Sequence, residues 1–564
     1  MKILNLILIA TFVCTLSYGA GDKKFQLPIV SITATDINNQ TTGRATGFIV
    51  AADSSNESNV LSVVSPYTLL RNAVKAVVTD SKDKTHTALR ISGANDLYDV
   101  AKFTIANTPD ITPLSLANKK LAIGDKAYIV NNKQEKKKPL AEVKVTQADE
   151  YSGLTYYTLS ATADTSLIGT PLLTADNKVV GVIQKNASAN GGSMYAIGIE
   201  FFDALKITTM SAADPSLNNI HIAKQLPDDE KQAASYLYLF ARNSEDTISY
   251  AVSLNDFITK YPENSFGYNQ SALFYASNKQ YSKAEQIYNE ALGKCTDKAD
   301  IHYNMSVMLY NLNQDKSYSP YKDWTLNRAL AEIKQAYELQ PTPIYLMQQG
   351  KCLYALKKYH EAYDTYDKIN KTNFRSSENL FCQSRSLQMA GGDSTVILAL
   401  LDSAVVRFIK PYKEDAAPYV YYRAQQYDRY GFYREAVVGY QDYQDIVGLR
   451  NLNDKFFYIK EQAEIKCNFY PQALADIERA IAINPNEYVY YIEKALIETR
   501  TGNYEEAILT AAQARKLDAN DPDSYKLAGI SYGELGNKTE ARKNLEKAIE
   551  LGDEEARSWL NSMK

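Results

Sequence analysis

The sequence predicts a multidomain protein, in which an all-β N-terminal domain is followed by an all-α array of helical repeats. Its 564 residues are too many for a single hydrophobic core. Residues 25–205 are rich in Val, Ile and Thr in short runs, whereas long helical periods begin near residue 225. Most of the 43 tyrosines also follow residue 210. A break in composition therefore separates two kinds of structure.

Composition and charge restrict the class of partner. Charged residues make up 23% and hydrophobic residues 45% of the chain, as in ordinary folded proteins, so wholesale disorder is excluded. The formal net charge of −4 offers no electrostatic footprint for nucleic acid or an anionic membrane. We therefore expect protein or peptide partners and no nucleic acid.

The first residues have the layout of a targeting segment. Residues 1–19 begin with a single lysine, continue with the apolar stretch Ile3–Leu16 and end in the small residues Ser17 and Gly19. This layout predicts a secretory signal peptide that is cut before Ala20. The apolar stretch is shorter than the roughly 20 residues of a membrane span, and an uncleaved anchor is the alternative. We expect an exported protein (periplasmic, envelope-associated or secreted) without an integral membrane segment after cleavage.

Neither a metal nor a cofactor is predicted. The sequence has no P-loop, no GxGxxG after a strand, no HExxH and no EF-hand loop. The four cysteines beyond the signal segment show no CxxC or Cys/His spacing, so a zinc site is not expected. We predict buried thiols at these positions, with disulfide pairing as the alternative. They are Cys295, Cys352, Cys382 and Cys467.

Short apolar runs separated by polar turns indicate strands in residues 25–205. Runs of four to seven residues at a spacing of about ten are typical of an all-β barrel or sandwich. Clear examples are Leu27–Thr33, Val60–Val64, Asp99–Ile105, Lys126–Val130 and Val179–Gln184. Residues 206–229, with Pro215 and Pro227, are predicted to be a linker to the helical part.

The helical part, residues 230–564, contains a repeat of about 34 residues. Small residues at one position of each copy allow two antiparallel helices to approach closely, and aromatic residues fill the space between stacked pairs. The most regular copy has its key positions at Tyr525, Ala528, Gly529, Tyr532, Gly536, Ala541, Leu545 and Ala548. These positions resemble the tetratricopeptide repeat family. Residues Glu554–Ser562 fit a C-terminal capping helix.

The resemblance to this family implies a superhelix whose concave groove holds an extended peptide or a partner's helix. One subtype captures a C-terminal carboxylate with Lys and Asn four residues apart, and no such pair occurs at the corresponding positions here. The groove is instead expected to be apolar and rich in tyrosine. Candidate peptide-binding residues are Asn269, Tyr303, Met347, Lys351, Tyr421 and Gln425.

Several strings of the β domain occur in the order found in HtrA-like trypsin-fold serine proteases. They are RATGFIVAAD (44–53), VVSPYTLLRNA (63–73), GANDLYDVAKFTI (93–105) and ATADTSLIGTPLLTADNKVVGVIQ (161–184). This resemblance implies a double β-barrel of the trypsin fold over residues 25–205. It also places the three catalytic positions of the family on particular residues of this chain.

The residues at those three positions do not form a triad. Thr68 stands where the family has histidine, Ile168 stands where it has the nucleophilic serine, and only Asp99 matches. A serine hydroxyl needs a nearby base, and the base needs an orienting partner. The only histidine of this region, His86, lies in a predicted strand. The resemblance therefore implies a trypsin fold with no catalytic residues.

Three hypotheses of function follow. The first is an exported, non-catalytic scaffold that binds polypeptides through the repeat groove and the cleft of the β domain. The second is an active serine-type peptidase that uses a displaced nucleophile, Ser166 or Thr170, with the repeats selecting substrates. The third makes the array the sole functional part. The first is our leading prediction, since base and nucleophile are both absent from their expected positions.

Overall fold

A computed structural model describes residues 27–52, 59–131, 140–151, 153–185, 192–243 and 245–562. The predicted signal peptide, residues 1–19, lies outside these residues. Backbone contacts divide the chain into two compact units, unit 1 (Met1–Asp297) and unit 2 (Lys298–Lys564), and each is taken by itself.

The strands of unit 1 form two sheets. They are β1 (Ile29–Thr35), β2 (Thr41–Ala51), β3 (Val60–Ser65), β4 (Lys75–Thr79), β5 (Thr85–Thr87), β6 (Ile91–Asn95), β7 (Val100–Ala106), β8 (Lys126–Val130), β9 (Leu140–Tyr151), β10 (Leu154–Thr162), β11 (Pro171–Leu173), β12 (Val179–Gln184) and β13 (Ser193–Gly198). The first sheet has the order β5-β4-β1-β2-β3-β7-β6, and the second closes into a barrel in the order β10-β13-β12-β11-β8-β9. All pairings between named strands are antiparallel.

The predicted fold class is confirmed, with one difference in the first sheet. The second barrel is closed by strand pairing, whereas the first sheet ends at β5 and β6. The short segment between these two strands bridges the gap, because Leu89 N–H donates to the Thr104 carbonyl and Ala88 N–H donates to the Ala76 carbonyl. The apolar residues between the two sheets include Phe48, Val64 and Phe202, which form one buried cluster.

Residues 206–229 pack against the first sheet instead of forming a linker. Ile207, Leu217, Ile220, Ile222 and Leu226 are buried in the same core cluster as the sheet. Prolines and polar residues suggested a loose connection, but they mark turns between buried apolar residues. The segment is therefore part of the folded body of unit 1.

Helices occupy the rest of unit 1 and all of unit 2. Those of unit 1 are α1 (Tyr67–Leu70), α2 (Phe201–Ala204), α3 (Pro215–Asn218), α4 (Glu230–Asn243), α5 (Thr247–Lys260), α6 (Ser265–Ser277) and α7 (Tyr281–Lys294). Those of unit 2 are α8 (Lys298–Gln314), α9 (Leu326–Leu339), α10 (Pro343–Ala355), α11 (Tyr359–Asn370), α12 (Ser377–Met389), α13 (Ser394–Val405), α14 (Ala417–Arg429), α15 (Tyr433–Val447), α16 (Asp454–Lys466), α17 (Tyr470–Ile483), α18 (Tyr488–Arg500), α19 (Tyr504–Leu517), α20 (Pro522–Glu534), α21 (Lys538–Glu550) and α22 (Glu555–Ser562).

Small residues set the spacing inside the helix pairs of unit 2. A Cβ added to Gly350 on α10 would lie 2.5 Å from the ring of Tyr366 on α11. One added to Gly529 on α20 would lie 2.8 Å from Leu545 on α21. Consecutive helices of each pair are therefore as close as the repeat pattern predicted.

Most of the large aromatic residues of the repeats are packing residues. Fully buried tyrosines of the helical part are Tyr236, Tyr268, Tyr288, Tyr366 and Tyr440.

Two of the four cysteines are buried, as predicted, and two are only half-buried. Cys295 and Cys352 are the buried pair, and Cys382 and Cys467 are the half-buried pair. Among the described helices, none is both long and apolar enough to cross a membrane.

Candidate functional site

The structure brings Thr68 and Asp99 together, as expected for two neighbouring positions of a triad. Thr68 is exposed on α1, directly after β3, and Asp99 lies in the turn between β6 and β7. The Thr68 backbone N–H donates to Asp99 Oδ1 at 2.7 Å, and the Thr68 hydroxyl donates to Oδ2 at 3.3 Å. Both carboxylate oxygens of Asp99 thus fasten the β6–β7 turn to the start of α1.

The turn that carries Asp99 has a strained backbone. Asp99 has a positive φ of 47°, a region that residues other than glycine seldom adopt. Two hydrogen bonds support it, from Asp99 N–H to the Asp96 carbonyl at 3.3 Å and from Tyr98 N–H to Asn95 Oδ1 at 3.0 Å. The surrounding turn therefore fixes the direction of this carboxylate.

The predicted nucleophile position lies next to the same region. Ile168 is half-buried and ends a 3₁₀ turn, Thr165–Leu167. The next residue, Gly169, has a φ of +81°, and a Cβ added there would lie 2.9 Å from Pro66. Pro66 directly precedes α1, so the turn with Ile168 packs against the segment with Thr68. The turn that carries Ile168 thus lies beside the segment whose Thr68 is bonded to Asp99.

The backbone amides of this turn bond within the turn. In a trypsin-like enzyme the N–H groups of the nucleophile and of the residue two before it bind the oxyanion. The corresponding groups here belong to Ile168 and Ser166. Ser166 N–H donates to Asp164 Oδ1 at 2.9 Å, and Ile168 N–H donates to the Thr165 carbonyl at 3.4 Å. Both donors are therefore engaged by neighbouring residues of the same chain segment.

The two candidate displaced nucleophiles differ in their partners. The exposed Ser166 hydroxyl donates to Asp164 Oδ1 at 2.6 Å. The Thr170 hydroxyl is buried and donates to the Leu167 carbonyl at 2.6 Å. A carbonyl cannot take a proton at neutral pH, and a carboxylate is a weaker base for a serine than the histidine of a triad. Ser166 is thus the better placed of the two, although its base is poor.

The only histidine of residues 25–205, His86, lies on a strand away from Thr68 and Asp99. His86 lies in β5, which β4, β1 and β2 separate from β3 in the sheet order. Its Nε2 is 3.1 Å from Asp80 Oδ2. The predicted strand around His86 is present, and the imidazole contacts Asp80 in the turn of the β4–β5 hairpin.

One buried cation near the predicted site was missed by the sequence argument. Lys102 on β7 has no solvent exposure, its Nζ donates to the Phe202 carbonyl at 2.5 Å, and it stands 3.9 Å from the centre of the Phe202 ring. A lone lysine in an otherwise apolar strand gives no signal that it points inward. It joins the first sheet to α2.

Comparisons with known proteins agree with this architecture. Residues 45–182 match the family model of the trypsin-like peptidase domain, and residues 462–523 match that of the tetratricopeptide repeat. The chain carries a trypsin-like peptidase domain and tetratricopeptide repeats. The first match contains Thr68, Asp99 and Ile168.

Curated relatives share parts of the chain only. Serine/threonine-protein phosphatase T of Aspergillus oryzae is 31% identical over 123 residues, which is 22% of each protein. A TPR repeat-containing protein of Methanocaldococcus jannaschii is 22% identical over 259 residues, 45% of this chain and 43% of the relative. The chain thus spans less than half the length of either relative.

Solved structures resemble one or the other part. The TPR protein YrrB, described with an unusual peptide-binding site, is 20% identical, with a TM-score of 0.29; the match covers 36% of this chain and 99% of YrrB. The active form of the Rv3671c protease from M. tuberculosis is 17% identical, with a TM-score of 0.26; the match covers 32% of this chain and 78% of the protease.

Within the tetratricopeptide repeats, the predicted peptide-binding residues differ in exposure. Asn269 on α6 is only 6% exposed, so its side chain belongs to the packing of unit 1 and not to an open groove. Met347 and Lys351 are half-buried on α10. Tyr303 on α8 is half-buried with its ring 5.1 Å from that of Tyr345. Asn269 is therefore not available to a peptide, and the side chains of Tyr303, Met347 and Lys351 are only partly accessible.

Tyr421 and Gln425 lie together on α14. The Tyr421 ring is 4.5 Å from that of Tyr443 and 6.2 Å from that of Phe456. Burial raises the pKa of Tyr421, the neighbouring Tyr443 raises it further, and a hydrogen bond with Gln425 lowers it. This tyrosine is thus chiefly a packing residue, with its hydroxyl near Gln425.

Proposed function

We propose that this protein is an exported, non-catalytic interaction protein that binds polypeptide partners through the groove of its tetratricopeptide repeats. The trypsin-like domain supplies a second surface for extended chains, whose strand edges can pair with a peptide. One observation carries the proposal: Ile168 occupies the predicted nucleophile position, and its N–H is bonded within its own turn. The repeats imply protein partners, and the net charge of −4 favours them over nucleic acid.

The chemistry of acyl transfer supports the non-catalytic part. It needs a nucleophile, a base that is oriented by a partner, and free donors for the oxyanion. Thr68 has no ionisable group, so it offers no base between Asp99 and a nucleophile. Asp99 instead accepts two hydrogen bonds from Thr68, which is a structural use of a carboxylate.

A fluorophosphonate probe tests this part of the proposal. We expect no serine of the purified full chain to be labelled under conditions in which trypsin is labelled completely. Covalent labelling of a serine in residues 25–205 would contradict the proposal, and mass spectrometry of the labelled peptide identifies the residue.

Export is the second part of the proposal, and it rests on residues 1–19. N-terminal sequencing of the protein recovered from the cell envelope or medium tests it. We expect the mature chain to begin at Ala20. An intact Met1 on a protein found in the cytosol would contradict export.

A serine-type peptidase that uses Ser166 is the second candidate function. The observation in its favour is the exposed Ser166 hydroxyl, which donates to Asp164 Oδ1 at 2.6 Å. Cleavage of casein that is lost in Ser166→Ala but kept in Thr165→Ala, a change at the neighbouring exposed residue, would support this candidate. Equal background activity in both variants and the wild type would exclude it.

A further inference from the structure

Two loops of unit 2 lie side by side at the ends of α12 and α13. One, residues 371–376, joins α11 to α12, and the other, residues 406–413, leads from α13 to the turn before α14. They are neighbours because the Ser377 hydroxyl, at the start of α12, donates to the Ala404 carbonyl, near the end of α13, at 2.8 Å. We call these two loops the loop pair.

The loop pair exposes three large apolar side chains. Phe374 is 57% exposed, Val406 is 78% exposed and Ile409 is 87% exposed. In the same second loop, Phe408 and Tyr412 instead pack against a buried apolar cluster between α13 and α14. A side chain as exposed as Ile409 has few neighbours, so it stands out from the surface and does not line a groove. The loop thus turns its rings inward and leaves its aliphatic residues in water.

Hydrogen bonds fasten the backbone around Phe374. Its N–H donates to Thr372 Oγ1 at 3.1 Å, and its carbonyl accepts from Asn379 Nδ2 at 3.1 Å. The Arg375 N–H donates to the Thr372 carbonyl at 3.3 Å. The exposure of the Phe374 ring is therefore a property of a hydrogen-bonded turn.

Cations surround these apolar residues. The loop pair contains five Lys and Arg residues and no Asp or Glu. Lys371 Nζ is 2.5 Å from Asp367 Oδ2, and Lys410 Nζ is 2.8 Å from Asp442 Oδ1, so two of the five are paired with carboxylates of α11 and α15.

The other three cations of the loop pair are unpaired. Arg375, Arg407 and Lys413 are exposed, and in the described part of the chain no carboxylate lies within ion-pair distance of them. The nearest acidic residues along the chain, Glu414 and Asp415, directly follow the second loop. The loop pair thus combines protruding apolar groups with free positive charge.

This combination selects one kind of occupant. A second copy of the chain in two-fold contact would place the same cations opposite each other, which is unfavourable. A bilayer with anionic lipids satisfies both kinds of group, because apolar side chains enter its interface while Lys and Arg contact its charged headgroups. Charge complementarity therefore favours a membrane surface over a contact between copies.

We infer that the loop pair docks on the surface of a lipid bilayer that contains anionic lipids. Phe374, Val406 and Ile409 enter the headgroup region, and Arg375 and Arg407 contact lipid phosphates. The inference goes beyond the proposed function, since it concerns where the protein is held and not what its repeats bind. The net charge of −4 averages over the whole chain, whereas salt limits a membrane to the charges within about 8–10 Å of its surface.

Flotation of the purified full chain with lipid vesicles tests the inference. One set of vesicles is phosphatidylcholine alone, and the other contains about one third phosphatidylglycerol, an anionic lipid. Wild type is compared with Arg375→Gln/Arg407→Gln and with the control Lys334→Gln/Lys538→Gln, which removes two exposed cations outside the loop pair. Every variant keeps residues 1–19, so lipid binding by that apolar segment is common to all. Thermal unfolding checks that each variant is folded.

We expect wild type and the control to float with the anionic vesicles, to bind phosphatidylcholine weakly and to lose binding as salt rises. Arg375→Gln/Arg407→Gln should bind the anionic vesicles at least about tenfold more weakly, because each basic residue near such a surface contributes to binding. Ile409→Gln should weaken binding about tenfold through lost apolar burial. Leu509→Gln, at a side chain that is 68% exposed on α19, should not.

Tryptophan fluorescence locates the contact without removing it. Phe374→Trp places a tryptophan in the loop pair, and Phe432→Trp places one at an exposed position beyond the other end of α14. Brominated phosphatidylcholine in the anionic vesicles should quench the emission added by Phe374→Trp and not that added by Phe432→Trp. The two native tryptophans, Trp324 and Trp559, are common to both variants.

Four results would overturn the inference. Three of them are no binding of the wild type to anionic vesicles, equal binding to both kinds of vesicle, and equal binding by wild type and Arg375→Gln/Arg407→Gln. The fourth is binding of soluble poly-glutamate without binding of vesicles, which would assign the loop pair to an acidic protein. Each of these results leaves the proposed binding of polypeptides by the repeats intact.

Discussion

At the scale of single residues, Asp99 joins the β6–β7 turn to α1 by hydrogen bonds. It accepts from both the N–H and the hydroxyl of Thr68, which lies 31 residues earlier in the chain. In a triad the same carboxylate would orient an imidazole. Here it holds the β6–β7 turn, with its positive φ at Asp99, against α1. At the position that the resemblance assigns to the orienting aspartate, the carboxylate thus supports a turn.

Replacement of this carboxylate should lower stability. We expect Asp99→Ala to reduce the free energy of unfolding by about 1–3 kcal/mol, because two donors lose a charged acceptor. Urea-induced unfolding of the full chain measures the change. Asp96→Ala, at an exposed position in the same turn, serves as the control and should alter stability by less than about 0.5 kcal/mol. Equal effects of the two changes would contradict the fastening role.

Order and spacing along the chain were sufficient to predict that Thr68 and Asp99 lie near each other. They could not show that the backbone N–H groups of Ser166 and Ile168 bond within their own turn. The reason is that the order of side chains in a sequence does not give the direction in which a backbone N–H points.

At the scale of elements, small residues determine how closely the paired helices approach. Gly350 on α10 lies directly under the ring of Tyr366 on α11, which is buried. A methyl group at this position must displace the ring or the helix. Such overpacking typically costs about 1–3 kcal/mol.

Gly350→Ala should therefore destabilise the protein despite the higher helix propensity of alanine. The matched control is Gly293→Ala on α7, where an added Cβ has no neighbour within 4 Å. We expect Gly293→Ala to be neutral or to stabilise by up to about 1 kcal/mol. Thermal unfolding compares the two variants. A stabilising Gly350→Ala would show that the ring of Tyr366 moves aside without cost.

Helices α16, α17 and α18 bury more carboxylates than cations. Burial raises the pKa of Glu461 to about 8, and the nearby Glu493 adds to this effect. Burial likewise raises the pKa of Glu464 to about 7, with a further increase from Asp476. The buried cation Lys460 lies 2.8 Å from Asp476 Oδ2 and 3.6 Å from Glu464 Oε1. Lys460 and Arg479 both pair with Asp476, so Glu461 and Glu464 are not fully compensated by these cations. At pH 7 Glu461 is therefore mostly protonated and Glu464 about half protonated.

The stability of these helices should fall as the pH rises. In the unfolded chain both carboxyls ionise near their ordinary pKa of about 4.3, while in the folded protein they stay protonated up to about pH 7 or 8. The folded state therefore binds more protons, and stability is lost between about pH 4 and pH 8. Glu461→Gln should flatten this dependence when urea midpoints are compared at pH 5.5, 7 and 8.5. Glu505→Gln, at an exposed carboxyl, should leave the slope unchanged.

The repeat pattern predicted the helices but not this buried charge. Glu461 occupies the position of the repeat at which other copies have the small residues Gly350, Ala424, Ala495 and Gly529. A pattern of apolar residues treats charged ones as exposed by default. Their burial depends on the neighbouring helices, which are distant in the sequence.

At the scale of the whole molecule, the first helices of the predicted array belong to the core of unit 1. Tyr236 and Phe240 of α4 and Phe257 of α5 are buried in one cluster with the first sheet. Arg90, directly before β6, also forms a two-pronged ion pair with Asp256 of α5, with distances of 2.5 and 2.7 Å. The sequence placed a boundary near residue 230 because the composition changes there. Composition does not show that the helices pack back onto the sheet.

This packing predicts where the chain can be divided. A fragment of residues 20–297 should unfold cooperatively, whereas residues 20–225 should expose the apolar face that α4 and α5 cover. We expect the shorter fragment to bind a hydrophobic dye and to unfold at a lower temperature. Thermal unfolding and dye fluorescence of the two fragments measure the difference. Equal midpoints with no dye binding would show that the β part folds without these helices.

The most direct measurement of the central claim joins binding with the absence of cleavage. A denatured, protease-free polypeptide mixture is incubated with the full chain, and new peptide termini and retained polypeptides are both counted by mass spectrometry. We predict polypeptides retained on the protein and no termini beyond those found with Ser166→Ala. New termini that the wild type produces and Ser166→Ala does not would contradict the account.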